Sequence, residues 1–145
     1  MYNSNVLGGF MKRFIEAHEK YYDQAYKEIK KGYKKTHWMW FIFPQIIGLG
    51  KSYTAIYYSI NDMNEINEYI NNEYLMNNYL ELCNVLLELK TNNPIEVFGS
   101  PDYMKLQSSL TLFYFVSKNE IIKKVLDKYY DGRYDDNTLK ILNSF

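Results

Sequence analysis

Tyr74-Leu75-Met76-Asn77-Asn78-Tyr79-Leu80-Glu81-Leu82-Cys83-Asn84-Val85-Leu86-Leu87-Glu88-Leu89 sets Leu75, Tyr79, Leu82, Leu86 and Leu89 three or four residues apart. That spacing draws one apolar stripe along an α-helix and fits no strand, whose side chains alternate between faces. The chain on either side gives the same signal. Upstream, Phe10, Phe14, Ala17, Tyr21, Ala25 and Ile29 recur at helical spacing, and Lys30-Lys31 before Gly32 reads as a helix end. Ser52 to Ser59 reads as a short helix, and Asn61-Asp62 caps another running through Ile70. Downstream, Asn93-Pro94 and Ser100-Pro101 each read as a capping residue with proline at the first helical position. The second of these opens a helix through about Val116. Ser117 and Glu120 form the pattern of a capping box for a helix through Tyr130, which Asp131-Gly132 breaks, and Asp135 or Asp136 caps a last helix ending near Asn143. His37 to Phe43 is open between a buried strand and a helical turn, and Pro44 ends it either way. The expectation is one all-α domain over residues 10–145, of about seven or eight helices, preceded by a flexible polar tail over residues 1–9.

Composition bounds the function. At 145 residues the chain is the size of one domain with a real core. Lysine plus arginine and aspartate plus glutamate balance at 17 each, which argues against general nucleic-acid binding. The lysines at 27, 30, 31, 34 and 35 read as a solvated helix end. The single cysteine, Cys83, sits on an apolar helix and implies a reducing compartment. No signal peptide or membrane-length apolar run appears, so a soluble cytoplasmic protein is expected, without membrane association. Heavy use of Asn, Lys, Ile and Tyr points to an AT-rich genome, that of a low-GC bacterium or one of its viruses.

Two stretches exceed what packing alone asks for. The first is His37-Trp38-Met39-Trp40-Phe41-Ile42-Phe43-Pro44-Gln45, continuing to Gly48-Leu49-Gly50-Lys51-Ser52. A core segment needs only aliphatic residues, whereas Trp brings an N–H and a flat face suited to planar ligands. The second runs from Gly99 to Phe113 and carries Asp102, Lys105, Ser108, Ser109 and Thr111. The pair suggests two walls of one polar–aromatic pocket; the plain alternative is an aromatic core. Gly50-Lys51-Ser52 ends like a phosphate-binding loop, but Gln45 stands where that motif requires its first glycine. His37 is a candidate general base or a structural hydrogen-bond partner. Ser108, Ser109 and Thr111 either face a ligand or bond back to the preceding turn. His18 and His37 are the only histidines and no C-x-x-C occurs, so no metal and no cofactor is implied. No catalytic pair is spelled out.

The two stretches carry a resemblance. Together with Arg13-Phe14, Ala17, Lys105-Leu106, Ser108-Ser109, Thr111-Leu112-Phe113, Gly132, Asp135 and Thr138-Leu139, they make the chain resemble the family catalogued as domain of unknown function 1810, sometimes mislabelled calpastatin-like. The likeness runs from about Arg13 to Leu142. The family tends to have Gln where His18 stands, Gly at Ser59, a His-Pro pair at Asn72-Glu73 and Met at Leu110. If the family acts through that absent histidine, this member binds without turning over. The resemblance implies an all-α fold and a similarity in style to helical domains of NAD and ADP-ribose metabolism. It thereby implies a small nucleotide ligand: Trp38 or Trp40 stacking on adenine, Lys51, Ser52, Lys105 and the helix start at Ser100 holding a pyrophosphate, Gln45, Ser108, Ser109 and Thr111 reading ribose or base, and Arg133 closing the site. The leading expectation is binding of an NAD-derived or ADP-ribose-like nucleotide, sequestering a signal molecule. The alternatives are a hydrolase of an N-glycosidic or ADP-ribosyl bond using His37 and Asp102, and a protein-interaction domain with no small ligand.

Overall fold

Local signals become helices where side chains can both cap the ends and bury a stripe. The computed structural model of the chain describes residues 9–145, with side chains from Met11 onward. Nine helices follow in order: α1 (Gly9–Lys30), α2 (Met39–Ile42), α3 (Tyr53–Tyr57), α4 (Met63–Asn71), α5 (Glu73–Glu88), α6 (Pro94–Phe98), α7 (Asp102–Ser117), α8 (Glu120–Tyr130) and α9 (Asp136–Asn143). The all-α expectation holds among the described residues. The count rises to nine because His37 to Phe43 resolves as a helical turn and the turn at Pro94 is itself a helix. The only strand-like feature described is an isolated parallel bridge between Ile46 and Ile60. The expected tail over residues 1–9 lies outside the described residues except for Gly9, which opens α1.

Most caps are those the sequence offers. Asp62, Asn93 and Asp135 each accept from the amide two or three residues on, satisfying helix donors that otherwise lack partners, and Asn72, not singled out from the sequence, does the same for α5. Two caps differ. Pro101, not Ser100, stands at the N-cap of α7, without a side-chain cap and after a cis Ser100–Pro101 peptide. Asn119, not Ser117, caps α8; Ser117 closes α7, its hydroxyl donating to the Phe113 carbonyl and accepting from the Asn119 amide.

Helices α5 and α7 form the centre. Helix α5 packs against α1, α4 and α8, and α7 against α4, α6, α8 and α9. Six consecutive residues of α7, Ser108 to Phe113, are buried, so this helix is enclosed on all sides and its small hydroxyl residues are where neighbours approach. Tyr79 of α5 ties the two together: its hydroxyl lies 2.9 Å from the Ser109 hydroxyl and its ring stacks on Phe113 at 4.3 Å. Phe43 meets Tyr79 edge-on at 5.3 Å, and Phe98 packs edge-on against both Phe43 and Trp38. Much of the first aromatic stretch is therefore core, where such pairs add about 0.5–1.5 kcal/mol beyond area burial.

Helix α1 buries three polar side chains, Arg13, His18 and Glu28, and each one bonds to backbone of the segment between Lys35 and Ser59. Arg13 donates to the Tyr57 and Ser59 carbonyls at 2.8 and 2.9 Å and pairs with Glu65 at 3.0 Å. His18 Nε2 meets the Phe41 carbonyl at 3.0 Å, and Nδ1 meets the Asn78 amide nitrogen at 3.0 Å. A carbonyl only accepts, so the proton sits on Nε2 and the Asn78 amide donates to Nδ1. Burial lowers this imidazole to about 4 against the opposing pull of the Phe41 carbonyl, so the ring is neutral at pH 7. Glu28 accepts from the Lys35 and Thr36 amides, the Thr36 hydroxyl, the Gln24 amide and the Trp38 indole. Burial raises its carboxyl, but those hydrogen bonds, the Thr36 pair foremost, outweigh it and hold the group at about 2.

Candidate functional site

The chain that α1 anchors, residues 33–62, folds back over one side of that helix and leaves an open cleft of about 660 Å³. Its walls are Tyr21 of α1, His37, Trp40 and Phe41 around α2, and Tyr53, Thr54, Tyr57 and Tyr58 at α3. Each wall has a local reason. Glu28 fixes the chain up to Trp38, so the helical turn that follows presents Trp40 half outward. His18 fixes Phe41 by its carbonyl. Arg13 fixes the end of α3 by the Tyr57 carbonyl. Helix α3 buries none of its own residues, and Tyr53 is 82% exposed, so this turn of helix is held by its anchors more than by packing.

The rings form a continuous train. Tyr21 lies 5.3 Å from Phe41, Phe41 lies 5.1 Å from Tyr58, Tyr58 meets Tyr57 edge-on at 4.8 Å, and Tyr57 stacks on Tyr53 at 6.2 Å. His37 stands 6.5 Å from Trp40. Among the described residues, no Lys, Arg, Asp or Glu side chain lines the cleft. Two ammonium groups flank it: Lys20 lies over Tyr21 at 5.3 Å and Lys105 over Trp40 at 5.6 Å. Burial raises the Tyr58 phenol above its ordinary value, so it stays protonated.

The residues singled out from the sequence separate into groups. His37, Trp40 and Lys105 come together at the cleft, which brings the two stretches into contact. Asp102 lies beside them, its two oxygens 2.9 Å from Lys34 and 3.4 Å from Lys105. Trp38 is 1% exposed, with Lys34 over its ring at 5.0 Å and its N–H on Glu28 at 2.9 Å, so it has no open face for a ligand. Ser108 and Thr111 donate back to the Met104 and Gln107 carbonyls, and Thr111 also accepts from the Asp135 amide. With Ser109 on Tyr79, all three hydroxyls are satisfied inside the core. Here the plain reading of mid-helix Ser and Thr is the one the structure gives. Ser52 caps α3 through the Ala55 amide, and Lys51 is exposed beside it. Gln45 is half-buried and its carbonyl accepts from the Ile60 amide, while the Arg133 carbonyl accepts from Gln107. None of these lines the cleft. The glycines of the turn serve the fold: Gly48 has φ +101°, and a Cβ on Gly50 would come within 2.5 Å of Ala55 Cβ.

The lining tyrosines and Thr54 were not singled out from the sequence. Tyr53 and Tyr57 do stand one helical turn apart in a short helix, which is a signal for a shared face, but nothing local says that the face is bare. A second hollow of about 410 Å³ lies along α4 beside Met11, lined by Asn64, Asn67, Glu68, Asn71 and Asn72. There the Glu68 carboxyl is raised by burial and by Glu65 and Asp62. No cluster of three His, Cys, Asp or Glu residues suited to a metal occurs among the described residues. No described helix is long and apolar enough to cross a membrane.

Comparison with known proteins gives the lineage of this arrangement. A comparison with curated proteins finds no match. Among solved structures, the chain is similar to the conserved hypothetical protein Rv1873 from Mycobacterium tuberculosis, with 36% identity and a TM-score of 0.88 over 91% of this chain and 95% of that one. The profile of the family described as "Protein of unknown function (DUF1810)" matches residues 10–142. That span takes in all but the first residue of α1, the anchored loops, the cleft and all but the last residue of α9, and the chain belongs to the DUF1810 family.

Proposed function

We propose that the protein binds a small nucleotide of the NAD-derived or ADP-ribose-like class in the cleft between Tyr21, Trp40 and Tyr57, and holds it without turnover. The observation that carries this reading is the lining itself: Tyr21, His37, Trp40, Phe41, Tyr53, Tyr57 and Tyr58 bring rings to one open concavity. Its volume, about 660 Å³, falls in the range of about 300–1,000 Å³ usual for small-molecule sites. A base stacked on an aromatic side chain gains about 1–3 kcal/mol. Trp40 has the half-exposed face for this, and Trp38 does not. The hydrolytic alternative has less support, because Asp102 is held between two ammonium groups outside the lining and leaves His37 without a carboxylate partner at the cleft.

Thermal-shift screening against NAD, ADP-ribose, its cyclic and conjugated forms and the mononucleotides tests this, with chromatography of the recovered ligand. A ligand at 100 times its dissociation constant stabilises by about 2.7 kcal/mol. The expected result is a shift with intact ligand that Trp40→Ala abolishes. A cleaved product would transfer the reading to the enzyme, and no shift across the panel would remove the nucleotide altogether.

A further inference from the structure

The chemistry of the lining says which part of such a ligand is gripped. Four tyrosines, Tyr21, Tyr53, Tyr57 and Tyr58, line the cleft, and none of their hydroxyls has a hydrogen-bond partner among the described residues. Tyrosines packed into the core behave differently: buried Tyr79 and Tyr129 and half-buried Tyr130 bond through the hydroxyl to Ser109, the Leu86 carbonyl and the Tyr103 carbonyl respectively. The cleft thus offers phenol hydroxyls, the Thr54 hydroxyl and an exposed imidazole, all able to donate or accept, around flat apolar faces. Among the described residues it offers no lysine or arginine in the lining. Of the flanking cations, Lys105 is already paired with Asp102 at 3.4 Å. A pyrophosphate site is normally built from guanidinium or ammonium groups or from backbone amides at a long helix start. The helices that start at the cleft, α2 and α3, are single turns of four and five residues, and the Ser52 hydroxyl at the start of α3 is engaged with Ala55.

From this we infer that the cleft reads the nucleoside half of its ligand, base by stacking and ribose by tyrosine hydroxyls, and leaves the phosphate end in solvent. This rests on the nucleotide reading above and makes it narrower: the ligand class is a purine or pyridine nucleoside, with or without phosphates.

Isothermal titration of the whole protein with adenosine, AMP, ADP-ribose, nicotinamide riboside and its mononucleotide, each at low and high salt, tests it. Each nucleoside is expected to bind within about threefold of its own phosphorylated form, and salt from about 50 to 500 mM to change affinity less than about twofold, since no phosphate is neutralised. The double variant Tyr53→Phe, Tyr57→Phe keeps both rings and is expected to weaken nucleoside binding about tenfold, the signature of a hydroxyl contact. Phosphorylated ligands binding at least about tenfold tighter than their nucleosides, with steep salt dependence, would overturn this inference and leave the nucleotide reading standing. Full affinity in the double variant would also overturn it. No binding by any of the five ligands would bring down both.

Discussion

Replacing Glu28 by Gln removes one charge and almost no volume, which makes it a clean probe of how the aromatic segment is held. The carboxylate receives five hydrogen bonds, of 2.6 to 3.0 Å, from Gln24, Lys35, Thr36 twice, and Trp38. Its ordinary value is 4.5 and folding holds it at about 2. At about 1.4 kcal/mol for each tenfold change, that difference corresponds to about 3 kcal/mol of folding stability. Because the folded-state value is depressed, the contribution is complete above about pH 4.5 and fades as the pH falls toward about 2. An amide in the same place keeps one acceptor for Lys35, Thr36 and Trp38 but turns an N–H₂ toward the remaining donors.

The expected loss for Glu28→Gln is therefore about 2–3 kcal/mol at pH 7, read by urea unfolding followed through tryptophan emission. Other carboxylates also titrate in this range, so the quantity to plot is the difference between the native protein and the variant. It should shrink toward zero between about pH 4.5 and 2. A difference that stays constant across that window would refute the charged hub and leave only a packing role for Glu28. Glu28→Ala should cost more, about 4 kcal/mol, since buried N–H groups including the Trp38 indole then lack a partner.

The other anchors and the aromatic pair give three further expectations. Burial holds the His18 imidazole at about 4 against an ordinary 6.5, so about 3 kcal/mol of stability should be lost as the pH falls from about 6.5 to 4. His18→Gln keeps a donor for the Phe41 carbonyl and an acceptor for Asn78, and unfolding curves should show the pH dependence between about pH 6.5 and 4.5 largely removed, with stability near native at pH 7. Arg13→Met leaves Glu65 buried without its cation and should destabilise by about 3–5 kcal/mol, whereas Arg13→Met with Glu65→Leu should recover much of it; a chemical-denaturation cycle on the two variants decides this. Trp38→Ala should cost about 3–5 kcal/mol in chemical denaturation, and Trp40→Ala less than half of that. Equal losses would contradict the division of the pair into a core ring and a cleft ring.

Parts of this were legible one residue at a time. Asp62, Asn93 and Asp135 announce their helices because a cap acts on an amide two or three residues on, and the stripe on α5 shows because its spacing is that of one turn. The polar stripe residues of α1 were legible only in part. Glu28 stands three residues after Ala25 and beside Ile29, an inward position, yet with Lys27, Lys30 and Lys31 around it the same residue reads as solvated surface. In the second stretch, Ser108, Ser109 and Thr111 suggest a site because hydroxyls are what sites use. They are also what an enclosed helix uses where neighbours come close, and only the burial of six consecutive residues separates the two.

By itself the sequence determined an all-α chain, the place of most of its helices, and the two stretches where ring-bearing and polar residues gather, because caps, turns and amphipathic spacing act within a few residues. Which ring of Trp38 and Trp40 faces out was decided only in three dimensions. Glu28 takes the N–H of one tryptophan from ten residues away, while Arg13 and His18 reach across 44 and 23 residues to set the walls beside the other. A bare aromatic face is a property of what fails to cover it, and that depends on the path of the whole chain.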